Sequence, residues 1–299
     1  MLIKELLQTG QTVLSFEFFP PKTEKGWEEL FETVANLQPL HPSFVSVTYG
    51  AGGTTRANTH RLVTRIQAEA ALNVVAHLTC VGAKKTEIRQ ILTDYQAHGI
   101  LNILALRGDP PKGEAEWSPN GGEFMFAADL IAFIKAEFPQ FGIGVAGFPE
   151  GHPQTPNRML EIERLKAKID AGADYITTQL FFDNRDFYDF CERCELAGIR
   201  VPILAGIMPI TTWKGMLRMA ELAAGARFPA PLLRAVARVK DDDTLVEQIG
   251  IHWATEQIRD LIDHRVRGIH LYTLNKSTAS LKICQTLGIK NVEGYFSMK

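Results

Sequence analysis

The chain has little cysteine: Cys80, Cys191, Cys194 and Cys284 are the four in 299 residues. Thiols so few and so scattered cannot frame a chain of this size, which excludes a disulfide scaffold and leaves reduced thiols as the natural reading. Cys191 and Cys194 have C-x-x-C spacing, yet they fall inside the helical pattern 183–197, without the strand and tight turn that a redox motif follows. Also missing is any apolar run near the roughly 18 to 20 residues of a membrane span. The first seven residues carry Lys4 and Glu5 inside what would be a signal core; they read as a first helix, and a cytoplasmic protein is the expectation. Charge of one sign is lacking too: 32 basic against 34 acidic side chains give a formal net charge of -2, and no like-charge block exceeds Asp241-Asp242-Asp243. Nucleic acid and anionic membranes are therefore not expected partners. No Pro, Gly or Ser-rich linker divides the chain, which reads as one domain over 1–299.

What the sequence does contain is repetition. Eight short runs rich in Val, Ile and Phe occur at 12–19, 44–49, 73–80, 102–106, 142–148, 175–181, 202–208 and 268–274. Most start about 30 residues apart, the size of one βα unit. Helical patterns lie between them at 24–37, 55–70, 86–97, 123–138, 157–171, 185–197, 211–223 and 277–287, and two more at 229–240 and 244–265 fill the doubled gap before the last run. Gly99, Gly172, Gly198 and Gly288 follow four of these helices, where left-handed backbone stops a helix without a Cβ clash. Strands alternating with helices imply a parallel sheet covered by helices. An open doubly wound sheet should carry a Gly-rich dinucleotide turn after its first strand, where this chain has Pro20-Pro21-Lys22. The expected fold is a single (β/α)8 TIM barrel with extra helices between strands seven and eight.

In such a barrel the active site sits at the C-terminal ends of the strands, so polar residues there are candidates by position. Glu17 stands among Phe16, Phe18 and Phe19; apolar surroundings would disfavour its charged form and suit a general acid, the alternative being an inward carboxylate paired with Arg107 or His77. Arg107, Gly108 and Asp109 end strand four, either as a ligand grip or as a local ion pair. His77 has no second ligand at metal spacing, and His41, His60, His98, His252, His264 and His270 are dispersed, so no metal is expected. His152 lies in a loop between Gly151 and Pro153, as a ligand contact or as surface. Gln179, in an otherwise apolar run, needs partners and is either an interior hydrogen bond or a substrate contact. Gly52-Gly53 and Gly121-Gly122 imply mobile loops at the mouth, while Glu123 and Phe124 either begin a helix or touch a ligand.

Together these segments resemble the methylenetetrahydrofolate reductase family. The matching stretches are Ser15-Phe16-Glu17-Phe18-Phe19-Pro20-Pro21, Phe44 through Ala51, His77-Leu78-Thr79-Cys80, Ala105-Leu106-Arg107-Gly108-Asp109, Pro149-Glu150-Gly151-His152-Pro153, Lys168 through Ala173 with Thr178-Gln179, and Tyr272-Thr273-Leu274-Asn275. The resemblance implies a barrel that holds FAD noncovalently, oxidises NADH or NADPH, and reduces 5,10-methylenetetrahydrofolate to 5-methyltetrahydrofolate by a ping-pong hydride relay that feeds methionine synthesis. On this reading Glu17 is the acid that opens the folate ring at N10. Asp109 sits near flavin N1 and bonds the pterin, and Gln179 contacts folate and nicotinamide in turn. Thr48 falls on the nicotinamide side, while Tyr49, Ala51, His77, Arg107, Gly108, Ala127, Phe148, His152, Glu161 and Lys168 fall where the family holds FAD. Arg107 and Lys168 supply charge for the pyrophosphate.

Two positions depart from the family pattern. Phe148 replaces the Tyr of some relatives, and Lys276 stands where an Arg grips the folate glutamate tail, giving charge without a bidentate fork. Trp213, Met219 and Phe228 are the candidates for a wall against the ligand near strand seven. The length matches the bacterial catalytic barrel, so the S-adenosylmethionine-binding domain of eukaryotic relatives is not expected, and a homo-oligomer is. Competing readings are a corrinoid methyltransferase, a flavin-free reductase, or a noncatalytic barrel subunit; the residues from Arg107 to Lys168 speak against the first two, and the set Glu17, Asp109 and Gln179 against the third.

Overall fold

A computed structural model describes the chain apart from 50–55, 109–121, 153–154, 156, 223–225 and 298–299. Its centre is a closed barrel of eight parallel strands: β1 (Val13–Phe18), β2 (Phe44–Val47), β3 (Val74–Thr79), β4 (Asn102–Leu106), β5 (Gly142–Gly147), β6 (Tyr175–Thr178), β7 (Ile203–Ile207) and β8 (Gly268–Tyr272). Each strand pairs with the next in sequence, and β8 returns to β1 with Ser15 opposite His270 and Glu17 opposite Tyr272. Strands covered on both faces read as continuous apolar runs rather than as alternating ones, which is why the eight segments stand out in the sequence.

The helices follow the same logic. α2 (Glu24–Leu37), α3 (Arg56–Ala70), α4 (Lys85–Ala97), α5 (Ala127–Glu137), α6 (Arg158–Asp170), α7 (Asn184–Leu196) and α8 (Trp213–Leu222) follow successive strands, and α9 (Ala230–Ala237) and α10 (Asp243–Asp263) also lie between β7 and β8. α11 (Thr278–Thr286) and α12 (Val292–Ser297) follow β8. Thr23, Asn157, Asp183 and Asp242 cap α2, α6, α7 and α10 by accepting backbone N–H bonds. The glycines after α4, α6, α7 and α11 have φ of +74°, +114°, +75° and +77°, as the sequence reading expects. The pair Cys191 and Cys194 lies within α7 with both thiols free, and burial pushes each up to about 12, so both are protonated thiols at neutral pH.

Successive strand side chains point to opposite faces. Leu14, Phe16 and Phe18 join the main core with Leu30 and Val34 of α2, whereas Val13 joins a second cluster with Phe44, Val75, Leu104, Tyr175 and Leu204. That second cluster is closed by Ile3 and Leu7 of α1 (Ile3–Gln8), both fully buried. Asn102 fastens this plug, its Oδ1 accepting from Ile3 N at 2.9 Å and its Nδ2 donating to Met1 O at 3.1 Å. Burying two such aliphatic side chains is worth about 1.5–3 kcal/mol each, so α1 seals the floor of the barrel.

A third cluster lies under α8, α9 and α10, where Met216, Met219, Leu232, Val236 and Val246 pack on Leu180, Phe182, Met208 and Ile210. α10 comes very close to the chain just after β7: a Cβ on Gly250 would lie 1.8 Å from Ile210 O. Among the described residues no helix is long and apolar enough to cross a membrane.

Candidate active site at the barrel mouth

Glu17 is the last inward-facing residue of β1. Its expected aromatic surroundings are not there: Phe16 and Phe18 turn outward into the core, and Phe19 is exposed. What faces the carboxyl is polar. Ser46 Oγ of β2 donates to Glu17 Oε2 at 3.4 Å, and His77 Nε2 of β3 and His270 Nε2 of β8 each lie 3.5 Å from the same oxygen. His77 stands beside Glu17, though as a neutral ring and not as the expected cation, and the carboxylate remains 18% exposed and so keeps access to the mouth. His270 is the partner that sequence reasoning missed. Its signal was the two-residue alternation of Gly268, His270 and Tyr272 in phase with Val13, Ser15 and Glu17, visible only once β8 is set beside β1.

Burial pushes the His77 imidazole down to about 4, against the pull of Glu17, so the ring is neutral at neutral pH. Between pH about 6.5 and about 4 the unfolded chain binds a proton here that the folded chain refuses, and stability therefore falls as pH drops through that window. His77→Gln should make this acid limb shallower by up to about one proton, as read from denaturant titrations at a series of pH values. An identical slope in the variant would mean that His77 plays no part in acid unfolding.

The motif Tyr272-Thr273-Leu274-Asn275 ties the seam of the barrel shut. Thr273 Oγ1 donates to Glu17 O at 2.6 Å, Asn275 Nδ2 donates to Phe19 O at 2.8 Å, and Phe19 N donates to Asn275 Oδ1 at 3.0 Å. Leu274 and Asn275 have φ of +51° and +59°, a left-handed pair that Thr273 Oγ1 supports by accepting from Asn275 N. Thr33 Oγ1 donates to Asn275 O, and Tyr272 OH donates to Thr178 O at 2.7 Å. The backbone on both sides of Glu17 is therefore held from β8. Lys276 follows this clamp, exposed.

Across the mouth, Gly108 ends the β4 segment at φ +88°, where a Cβ would meet Val81 Cγ1 at 2.7 Å, and Arg107 O accepts from Val81 N at 2.8 Å. The rings of Phe148 and His152 meet edge to face at 4.6 Å. His152 N donates to Glu161 Oε2 at 3.0 Å, and burial raises the Glu161 carboxyl above the usual range. Glu161 Oε1 is buried without a partner among the described residues. Lys168 Nζ donates to Ala146 O at 2.6 Å, with its ammonium pushed down to about 8 by burial and pulled back by Glu161; it stays charged at neutral pH. Ala127 opens α5 and is buried.

Thr48 N donates to Phe18 O, Thr48 O accepts from Thr59 Oγ1, and Tyr49 packs on the main core. Gln179 stands one residue past β6; its N donates to Gly147 O and its Oε1 accepts from Leu180 N at 2.9 Å. Glu123 accepts from Lys85 N at the start of α4, and Phe124 is buried. Phe228 stacks on Phe182 at 4.5 Å, Met219 is buried in the third cluster and Trp213 packs against it. Asp109 and Ala51, with Gly52-Gly53 and Gly121, lie outside the described residues. Among those residues no three His, Cys, Asp or Glu side chains gather as a metal site.

Comparison with known proteins fits this geometry. A methylenetetrahydrofolate reductase family model matches residues 2–288. Methylenetetrahydrofolate reductase (NADH) 1 of Arabidopsis thaliana is 42% identical over 96% of this chain and 50% of its own length, and methylenetetrahydrofolate reductase 2 of Saccharomyces cerevisiae is 39% identical over 97% and 49%. The chain thus spans about half the length of these plant and yeast relatives. The 5,10-methylenetetrahydrofolate reductase of Escherichia coli is 38% identical over 94% of this chain and 92% of its own. A Clostridium thermocellum protein whose structure binds two copies of 5-methyl-5,6,7,8-tetrahydrofolic acid superposes with a TM-score of 0.64 at 16% identity, over 97% of this chain and 99% of its own, a likeness of fold. With a family model over nearly its whole length and a bacterial relative matched almost end to end, the chain belongs to the methylenetetrahydrofolate reductase family.

Proposed function

We propose that this barrel reduces 5,10-methylenetetrahydrofolate to 5-methyltetrahydrofolate, with FAD bound noncovalently and NADH or NADPH as the reductant, both half-reactions using one mouth in turn. The observation that carries the reading is a carboxyl, Glu17, fixed by Ser46, His77 and His270 at the open end of a barrel of this family. NADH is the reductant in the names of the plant relatives. The product is the methyl donor form of folate, which suits a place in methionine synthesis.

The donor set fits a flavin dinucleotide. Phe148 with His152 offers an aromatic wall, Lys168 and Arg107 offer cations for the pyrophosphate, and Glu161 Oε1 is a buried acceptor in want of a hydroxyl. Gly108, at positive φ and against Val81, allows a backbone turn at the strand end that a residue with a side chain could not take. Bound FAD supplies the hydride chemistry. The chain's own residues supply the rest. Glu17 donates a proton to folate N10 as the five-membered ring opens, and the resulting iminium is the hydride acceptor. Asp109 would bond the pterin, Gln179 would turn its amide end to the folate or the nicotinamide, and Thr48 would line the nicotinamide side, with Tyr49, Ala51, His77 and Ala127 among the residues that would hold the flavin.

The purified protein should show flavin absorbance that bleaches with NADH in the absence of oxygen and returns with methylenetetrahydrofolate. A protein that stays colourless after incubation with FAD would instead support flavin-free or methyltransferase chemistry. Lys276 gives the folate tail a point charge without a fork, so Lys276→Arg should tighten folate binding by severalfold in equilibrium titration. No tightening would place the tail elsewhere.

A further inference from the structure

The contacts around Glu17 leave one hydroxyl hydrogen with two places to go. Ser46 Oγ lies 3.4 Å from Glu17 Oε2 and 3.3 Å from His270 Nε2, and a serine has a single hydrogen to give. The other side of the His270 ring decides what Nε2 is. Nδ1 lies 2.7 Å from Ser15 Oγ, and Ser15 donates its own hydrogen to Ile269 O at 3.3 Å. With that hydrogen on Ile269 O, Ser15 Oγ would accept over the 2.7 Å contact, so that Nδ1 would carry the ring proton and Nε2 would present a lone pair. The other neighbours add no competing donor. His77 keeps one ring N–H when neutral, but its Nε2, 3.5 Å from Glu17 Oε2, makes no hydrogen bond among the described residues, and the Tyr272 hydroxyl is given to Thr178 O. Ser15, Ser46 and His270 are all buried, so the arrangement is held by the barrel wall rather than by solvent.

We propose that Ser46 is a positioning residue for Glu17: its hydroxyl turns from His270 Nε2 to Glu17 Oε2 as the carboxyl gives up its proton, with Ser15 fixing the tautomer of His270 that keeps both acceptors available. The inference rests on the reading of Glu17 as the proton donor. In that step the Glu17 O–H bond breaks, its electron pair stays on the carboxylate, and the proton forms the new N–H bond at folate N10; Ser46 and His270 keep their own protons. The new carboxylate gains a donor through rotation about one Cβ–Oγ bond, with no heavy atom displaced. Donors already in place where charge develops are what lowers such a barrier.

The cofactor-free protein gives the first test. Nitrogen-15 spectra of His270 should show the Nδ1–H tautomer, and Ser15→Ala should shift it toward Nε2–H. A wild-type ring protonated at Nε2 overturns the proposal, because Ser46 then has no acceptor on His270. In the FAD-loaded enzyme, Ser46→Ala should slow reoxidation by methylenetetrahydrofolate about ten- to hundredfold, leave bleaching by NADH unchanged, and be largely rescued by Ser46→Thr, which keeps the hydroxyl. Equal loss in both half-reactions, or no loss in either, overturns it. Glu17→Gln run alongside separates the two readings. If that variant reoxidises at the wild-type rate, the proton-donor reading falls; if it is slow while Ser46→Ala is not, only the role of Ser46 falls.

Discussion

Glu17→Gln is expected to slow reoxidation of the reduced enzyme by methylenetetrahydrofolate by about 10²–10⁴-fold while sparing reduction by NADH, the range that a positioned general acid contributes. That loss corresponds to about 2.7–5.4 kcal/mol of barrier. Gln keeps the shape of the side chain and a carbonyl oxygen to accept from Ser46, so the barrel wall has little reason to repack. What it lacks is a proton that can leave. Hydride delivery from the nicotinamide needs no such proton, and the two half-reactions should separate cleanly in stopped-flow traces. Comparable slowing of both would mean that Glu17 orders the mouth in general and is not the acid. The backbone there has independent support, since Thr273 donates to Glu17 O and Asn275 bonds Phe19 in both directions, and the variant should unfold at nearly the wild-type denaturant concentration.

Gly250→Ala is expected to have the largest effect on stability. Its Cβ would lie 1.8 Å from Ile210 O and 2.7 Å from Ile210 C, and backbone cannot swing aside as a side chain can. To relieve the overlap α10 must lift from the segment after β7. That helix buries Ile251, Ala254, Ile258, Leu261 and Ile262, and it holds the segment after β6 through Trp253 Nε1 donating to Phe182 O at 3.0 Å and Gln257 Nε2 donating to Phe181 O at 3.2 Å. Overpacking of a fitted core usually costs about 1–3 kcal/mol; a clash with three backbone atoms of Ile210 should lie at or above the top of that range. Urea titration gives the value directly. A loss below about 1 kcal/mol would mean that α10 slides without cost and that this close approach is incidental.

The strands are legible because a short apolar run between two helical patterns has to be buried on both faces, and a central parallel strand is the element that does this; the run at 102–106 is β4 residue for residue. The run at 175–181 is longer than β6 because Gln179 Oε1 takes the N–H of Leu180 and the chain leaves the ladder to send Leu180 and Phe182 into the third cluster. The helical pattern from 123 starts too early, since Phe126 is extended and Asp129 Oδ2 accepts from Met125 N and Phe126 N before α5 begins. At the site, a carboxylate in an apolar strand marks Glu17 at once, but the three phenylalanines beside it mislead. Neighbours in sequence along a strand are on opposite faces, so the residues that touch Glu17 come from β2, β3 and β8. Pairwise spacing in a sequence carries no trace of such contacts, and His270 stays hidden for that reason.

The seam between β1 and β8 has a consequence for how activity arises during synthesis. Ser15 and His270 are 255 residues apart in the chain and 2.7 Å apart in the fold. At about 5–20 residues per second, several strands have been made, with helices to cover them, well before His270 exists, while contacts of such long range close late. Until then Glu17 has Ser46 and His77 beside it but lacks His270, Thr273 and Asn275. Nascent and partly folded molecules therefore do not hold a weakened version of the acid; they hold an unfinished one. On the proposed reading of Glu17 as the acid, the last strand in completes its surroundings, and protonation of the substrate waits on closure of the barrel.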